Sequence, residues 1–104
     1  MEKKTKAETF VGFVVRSGKY RVGLNSVASL KGAFLIIVCH TASENSKKEA
    51  KSLANKMHCP LLITKEKTLE QLIFRANAKI MAITDKGLAK AVIENSLEDF
   101  ISES

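Results

Sequence analysis

The stretch AFLIIVC, residues 33–39, decides the architecture. It is continuously apolar and rich in β-branched residues, and the polar pairs Lys31-Gly32 and His40-Thr41 bound it. Such a run has no polar face to offer water. It is expected to be a strand buried on both sides, as parallel strands covered by helices are.

The flanking segments supply the cover. Downstream, ASENSKKEAKSLANKMH (residues 42–58) has helical periodicity, with Ala50, Leu53, Ala54 and Met57 on one face and a Ser46/Glu49 capping-box signature. Pro60 stops that helix and leads into LLIT (61–64), a second apolar strand. Thr68 and Gln71 repeat the cap signature before Leu69, Leu72, Ile73 and Ala76, which are expected to face inward, and KIMAIT (79–84) reads as a third long strand. Asp85-Lys86-Gly87 is turn chemistry, followed by a helix carrying Leu88, Ala91 and Val92, and a short final turn from Ser96 ends at Phe100 and Ile101. Upstream, Phe10, Val11, Phe13, Val14 and Val15 follow a helical period that Gly18 closes. Residues 20–24 are β-like, and Asn25 is placed to cap a short second helix with Val27, Ala28 and Leu30, closed near Gly32. This alternation of helices and strands predicts a three-layer α/β/α sandwich with a mixed, roughly four-stranded central sheet. Residues 1–104 read as a single domain, without repeats or linkers.

Composition narrows the function classes. A formal charge of +6 favours a polyanionic partner such as nucleic acid. No apolar run approaches the ~20 residues of a membrane helix. The charged start, MEKKTKAETF, lacks an apolar signal segment, so the expectation is a cytoplasmic protein, with Cys39 and Cys59 as reduced thiols.

Motifs for chemistry are few. The pairs Cys39-His40 and His58-Cys59 have ligand types suited to zinc, but adjacent strand residues point to opposite faces and four ligands do not converge from two such pairs. No metal and no cofactor are expected. There is no Gly-x-Ser-x-Gly, P-loop or dinucleotide fingerprint, and Glu94, Glu98 and Asp99 read as a solvated face. The chain is therefore not expected to be an enzyme. Lys47, Lys48, Lys51 and Lys56 fit the solvent side of their helix. Arg16, Lys19 and Arg21 differ: they surround a turn just before Gly23 and Asn25. There a glycine permits close backbone approach, and an amide beside free N–H groups suits base edges and phosphate.

With those residues in view, VVRSGKYRVGLNSV (residues 14–27) followed by FLIIVCHTAS (34–43) resembles the ribosomal protein L30e family, part of the wider group of kink-turn RNA-binding proteins. Residues 17–23, Ser-Gly-Lys-Tyr-x-x-Gly, carry the most specific match, and TASENSKKEAK is similar to the bacterial branch. The resemblance spans nearly the whole chain. It implies an α/β/α sandwich whose edge meets a kinked RNA, with Gly23, Asn25 and Ser26 at the start of the second helix. His40 and Thr41 would lie in the loop after the long strand, and Phe74, Arg75 and Asn77 in the loop against the flipped-out nucleotide. Arg16, Lys19, Arg21, Lys31, Arg75 and Lys79 are then candidate phosphate contacts. The chain departs from the family at Ser26, where kink-turn binders often have Glu, and at Ala28 and Ser29, where a lysine is usual. Leu72 to Phe74 replace the glycines before the last RNA loop. A protein embedded in a large ribonucleoprotein tolerates such changes best, because neighbouring contacts share the binding. The expectation is thus a structural component of the large ribosomal subunit, binding kinked rRNA beside neighbouring ribosomal proteins in the cytoplasm, with no DNA or membrane partner. The alternatives are a free kink-turn RNA-binding protein of the bacterial type and a protein-interaction module on the same fold.

Overall fold

The computed structural model describes residues 5–96 and 99–103. Its elements run α1 (Lys6–Ser17), β1 (Tyr20–Val22), α2 (Leu24–Ala28), β2 (Leu35–Val38), α3 (Glu44–Met57), β3 (Leu61–Thr64), α4 (Leu69–Ile73), β4 (Ile80–Ile83), α5 (Lys86–Glu94) and β5 (Phe100–Glu103). The strands form one mixed sheet in the order β1-β4-β2-β3-β5, with β2 and β3 parallel and the other neighbours antiparallel.

β2 is central and its four residues are all buried, as a strand with no polar face requires. Its side chains alternate between two cores. Leu35, Ile37 and Cys39 face α1, α4 and α5, packing with Val11, Val14, Leu69, Met81 and Val92. Ile36 and Val38 face α2 and α3, packing with Val27, Ala50, Ala54 and Ala82. The α/β/α sandwich follows directly from this two-sided burial.

Among the described residues the sheet has five strands, where roughly four were expected. Phe100 and Ile101, read as the end of a turn, open β5, which pairs antiparallel with β3 through Ile63–Ile101 and Thr64–Phe100. The four residues FISE lack an apolar alternation, and only the open edge of β3 and the burial of Phe100 make them a strand. Of the proposed final turn, Leu97 and Glu98 lie outside the described residues, as do residues 2–4 of the basic N-terminal segment.

Several caps fall elsewhere than expected. Gly23, not Asn25, caps α2: its φ of 98° and ψ of 144° belong to backbone that glycine alone adopts readily, so the helix starts two residues earlier and Asn25 enters the first helical turn. Ser43, not Ser46, caps α3, its hydroxyl accepting from the Ser46 N–H at 3.1 Å. Asp85 is an N-cap rather than a turn residue, accepting from the Leu88 N–H at 2.9 Å, and this start buries Ala89 with Val92 while Ala91 stays partly exposed. The Thr68/Gln71 capping box is present in full. Gly18 closes α1 at φ 73°. Ala76 is exposed, because α4 ends at Ile73 and residues 74–77 form a loop instead of another turn.

Candidate nucleic-acid interface

Strand direction sorts the candidate residues. β1 and β2 both run antiparallel to β4, and β3 runs parallel to β2. The ends of β1, β2 and β3 therefore share one edge of the sheet with the start of β4, here the upper edge. Two hydrogen bonds pin it: the Gly23 N–H donates to the Ile80 carbonyl at 3.0 Å, and the Cys39 N–H to the Lys79 carbonyl at 2.7 Å. Gly23, Asn25, His40, Thr41 and Asn77 converge there, although up to 54 positions separate them in the chain. α2, α3 and α4 all begin at this edge.

The loop of residues 74–77 is held by a built-in clamp. Phe74 and Asn77 have φ of 54° and 62°, left-handed values that a phenylalanine rarely takes. Glu70, in the first turn of α4, secures the loop with both carboxylate oxygens: one accepts the Asn77 N–H at 2.7 Å, the other Lys79 Nζ at 2.9 Å. The Lys79 ammonium and the Asn77 N–H hold the Glu70 carboxyl below the usual carboxylate range, and the bond to Glu70 raises Lys79. Lys79 Nζ also donates to Thr41 Oγ1 at 3.0 Å, tying the loop after β2 to the same clamp. With its polar neighbours tied down, Phe74 stands 84% exposed, and Arg75 beside it is exposed as well.

Beneath the surface the network continues into buried polar groups. Thr41 Oγ1 lies 3.0 Å from Cys39 Sγ, which also receives the Leu69 N–H at 3.4 Å. Burial pushes the Cys39 thiol up, but hydrogen bonds from the Thr41 hydroxyl, the Leu69 and Thr41 N–H groups and the Thr64 hydroxyl outweigh it and leave it below the ordinary thiol range. Buried Thr64 accepts the His40 N–H at 2.9 Å, and His40 Nδ1 lies 2.8 Å from the same hydroxyl. These contacts orient His40 and Thr41. Sequence reasoning missed Glu70, and offered Lys79 as a phosphate contact and not as the partner of Glu70. The pair's only signal was a Glu in the first turn of a helix and a Lys before a strand, which the chain repeats elsewhere.

The expected phosphate contacts divide. Arg75 lies at the upper edge. Lys19 does not: the Thr84 N–H donates to its carbonyl at 3.0 Å, which places it at the lower edge, beyond the start of β1. Lys31 lies low as well, between α2 and Phe34, whose N–H donates to the Ile83 carbonyl at 2.9 Å. Arg21 is exposed midway along β1. Arg16 ends α1 and stacks on Phe13, 4.9 Å from the ring centre. Exposed Ser26 stays in α2 beside Asn25. The two Cys/His pairs sit at opposite edges, Cys39-His40 after β2 and His58-Cys59 before β3. Among the described residues no three His, Cys, Asp or Glu groups come together to hold a metal, and no helix is long and apolar enough to cross a membrane.

No family model and no curated protein matches the chain. Among solved structures, a protein with unknown function from Bacillus halodurans is similar, with a TM-score of 0.74 and 16% sequence identity over 88% of this chain and 96% of that one. At that identity the likeness establishes a shared fold.

Proposed function

We propose that the protein binds a kinked RNA at the upper edge, as a structural component of the large ribosomal subunit. The observation that carries this reading is convergence: the Gly23-capped start of α2, the loop after β2 and the clamped loop of residues 74–77 meet on one edge. The first and the last of these supply three different chemistries. Asn25 supplies an exposed amide for a base edge, Arg75 a cation for phosphate, and Phe74 an exposed ring on which an unstacked base can lie. This division suits structured RNA, whose splayed bases are read by stacking and edge contacts while the backbone is read by shape.

Binding of a fluorescently labelled kink-turn RNA across a salt series tests it. Asn25→Ala should weaken binding by about 1–3 kcal/mol, and the loss should vanish when the RNA is altered so that it cannot kink. Equal binding of kinked and unkinked RNA by both proteins would overturn base readout at this edge. A second reading, a protein-interaction module on the same sandwich, is favoured by one observation. Lys19 and Lys31 lie away from the upper edge, which leaves a large exposed ring there beside a carboxylate clamp. Absence of any RNA binding at low salt would select that module.

A further inference from the structure

The basic residues absent from the upper edge form a surface of their own. In register, Tyr20 and Leu35 both pair with Ile83. One step further, Lys19, Thr84 and Phe34 come abreast across β1, β4 and β2, held by Thr84 N–H to Lys19 carbonyl (3.0 Å) and Phe34 N–H to Ile83 carbonyl (2.9 Å). Neighbouring strands lie ~4.8 Å apart, so Lys19 and Phe34 are roughly 10 Å apart at their backbones. Alternation also fixes the side. Leu35, Ile83 and Tyr20 pack with α1 and α5, so alternation turns Thr84, Lys19 and, two residues on, Arg21 to the α2/α3 side, where Ala33 beside Phe34 packs as well. Lys31 follows the foot of α2 on that same side. Phe34 is 46% exposed among these cations, and Lys19, Arg21 and Lys31 are all exposed. Asp85, the carboxylate next to Thr84 in the chain, is engaged in capping α5.

We propose that this lower edge is a second RNA-contacting surface that takes a single-stranded segment. A base stacks on Phe34, and Lys19, Arg21 and Lys31 line the path of the phosphates. Aromatic platforms set among cations are how proteins hold single strands without reading sequence. An aromatic ring half in water at the mouth of a strand gains little from folding, whereas a base covers it. The protein then joins two RNA segments from opposite ends of one sheet. This inference rests on RNA as the partner class, but not on the kink site at the upper edge.

The test is fluorescence anisotropy with a short labelled oligouridine, which offers no kink and no duplex. Wild type is compared with Lys19→Glu/Lys31→Glu, Phe34→Ala and Asn25→Ala, each checked for folding by circular dichroism. Phe34→Ala should weaken binding about tenfold while leaving the salt slope unchanged. The double charge reversal should weaken it roughly tenfold or more and lower the slope by at least ~1.4, the release from two single-strand phosphates. Crosslinking of 4-thiouridine-labelled RNA to the unaltered protein gives a readout free of folding effects, and Phe34 or its tryptic peptide should carry the label. Undiminished binding by the first two variants, or labelling confined to residues 74–77, would overturn the proposal. So would displacement by polyglutamate as effective as by oligouridine, or duplex RNA binding as tightly as the single strand with no effect of Phe34→Ala. If Asn25→Ala has no effect on kinked RNA while the lower-edge variants still lose oligouridine, the kink site falls and this surface stands.

Discussion

Gly23 shows how much one backbone conformation controls. A Cβ at this position would meet nothing within 4 Å, so a substitution is opposed by the φ of 98° alone and not by crowding. Gly23→Ala should therefore destabilise the protein by about 1–3 kcal/mol in urea unfolding, with the loss coming from strain at the start of α2. Glu70 exerts a different control, through charge. Its folded pKa lies below the unfolded value, so its stabilising contribution is complete above the unfolded carboxylate pKa and is lost as pH falls through the folded one. Lys79 is raised, so its share is complete below the unfolded lysine pKa and is lost as pH rises through the folded one. The difference in Tm between wild type and Glu70→Gln should be level between about pH 5 and 10 and should close at both extremes. A flat difference down to about pH 2 would mean that Glu70 acts by shape and not by charge. Glu70 did not stand out in the sequence and its pairing with Lys79 could not, because nine positions of separation mean nothing until α4 and β4 bring the two together.

At the level of elements, short pieces depend on their ends. α4 has five residues, below the length at which a helix holds itself, and it relies on Thr68, whose hydroxyl accepts the Gln71 N–H at 3.2 Å while Gln71 Oε1 accepts the Thr68 N–H at 2.9 Å. Thr68→Ala should cost about 1 kcal/mol of global stability by chemical denaturation. Because α4 carries Glu70, the same change should also raise amide exchange at Asn77, whose N–H is bonded to that carboxylate. This cap was legible in the sequence because both partners lie within one turn. Ser43 and Asp85 were less legible, since each competes with neighbouring polar residues that offer the same chemistry, and packing chose between them. β5 was not legible at all. Its strand state depends on β3, whose exposed edge it covers from 38 positions away at the Ile63–Ile101 pair.

Across the whole molecule, one sheet serves two cores, and adjacent residues of β2 belong to different ones. Ile36→Ala and Ile37→Ala open cavities on opposite faces, yet each should cost about 2–5 kcal/mol and leave a single cooperative transition with an unchanged m-value. Two transitions in either variant would show that the layers unfold separately. By itself the sequence determined the layered architecture, because a strand without a polar face must be covered on both sides and the flanking segments have helical periods. It determined the closure of α1 at Gly18 and the cap of α4, which are local interactions. Only the tertiary structure decided which residues meet. Lys19 and Gly23 are four positions apart and lie at opposite edges, since an extended strand advances ~3.3 Å per residue and β1 spans the distance. Gly23 and Lys79 are 56 positions apart and flank the same edge, since β1 runs antiparallel to β4 and the Gly23 N–H reaches the Ile80 carbonyl. Strand direction, a property of pairing between distant segments, parted the basic residues into two surfaces.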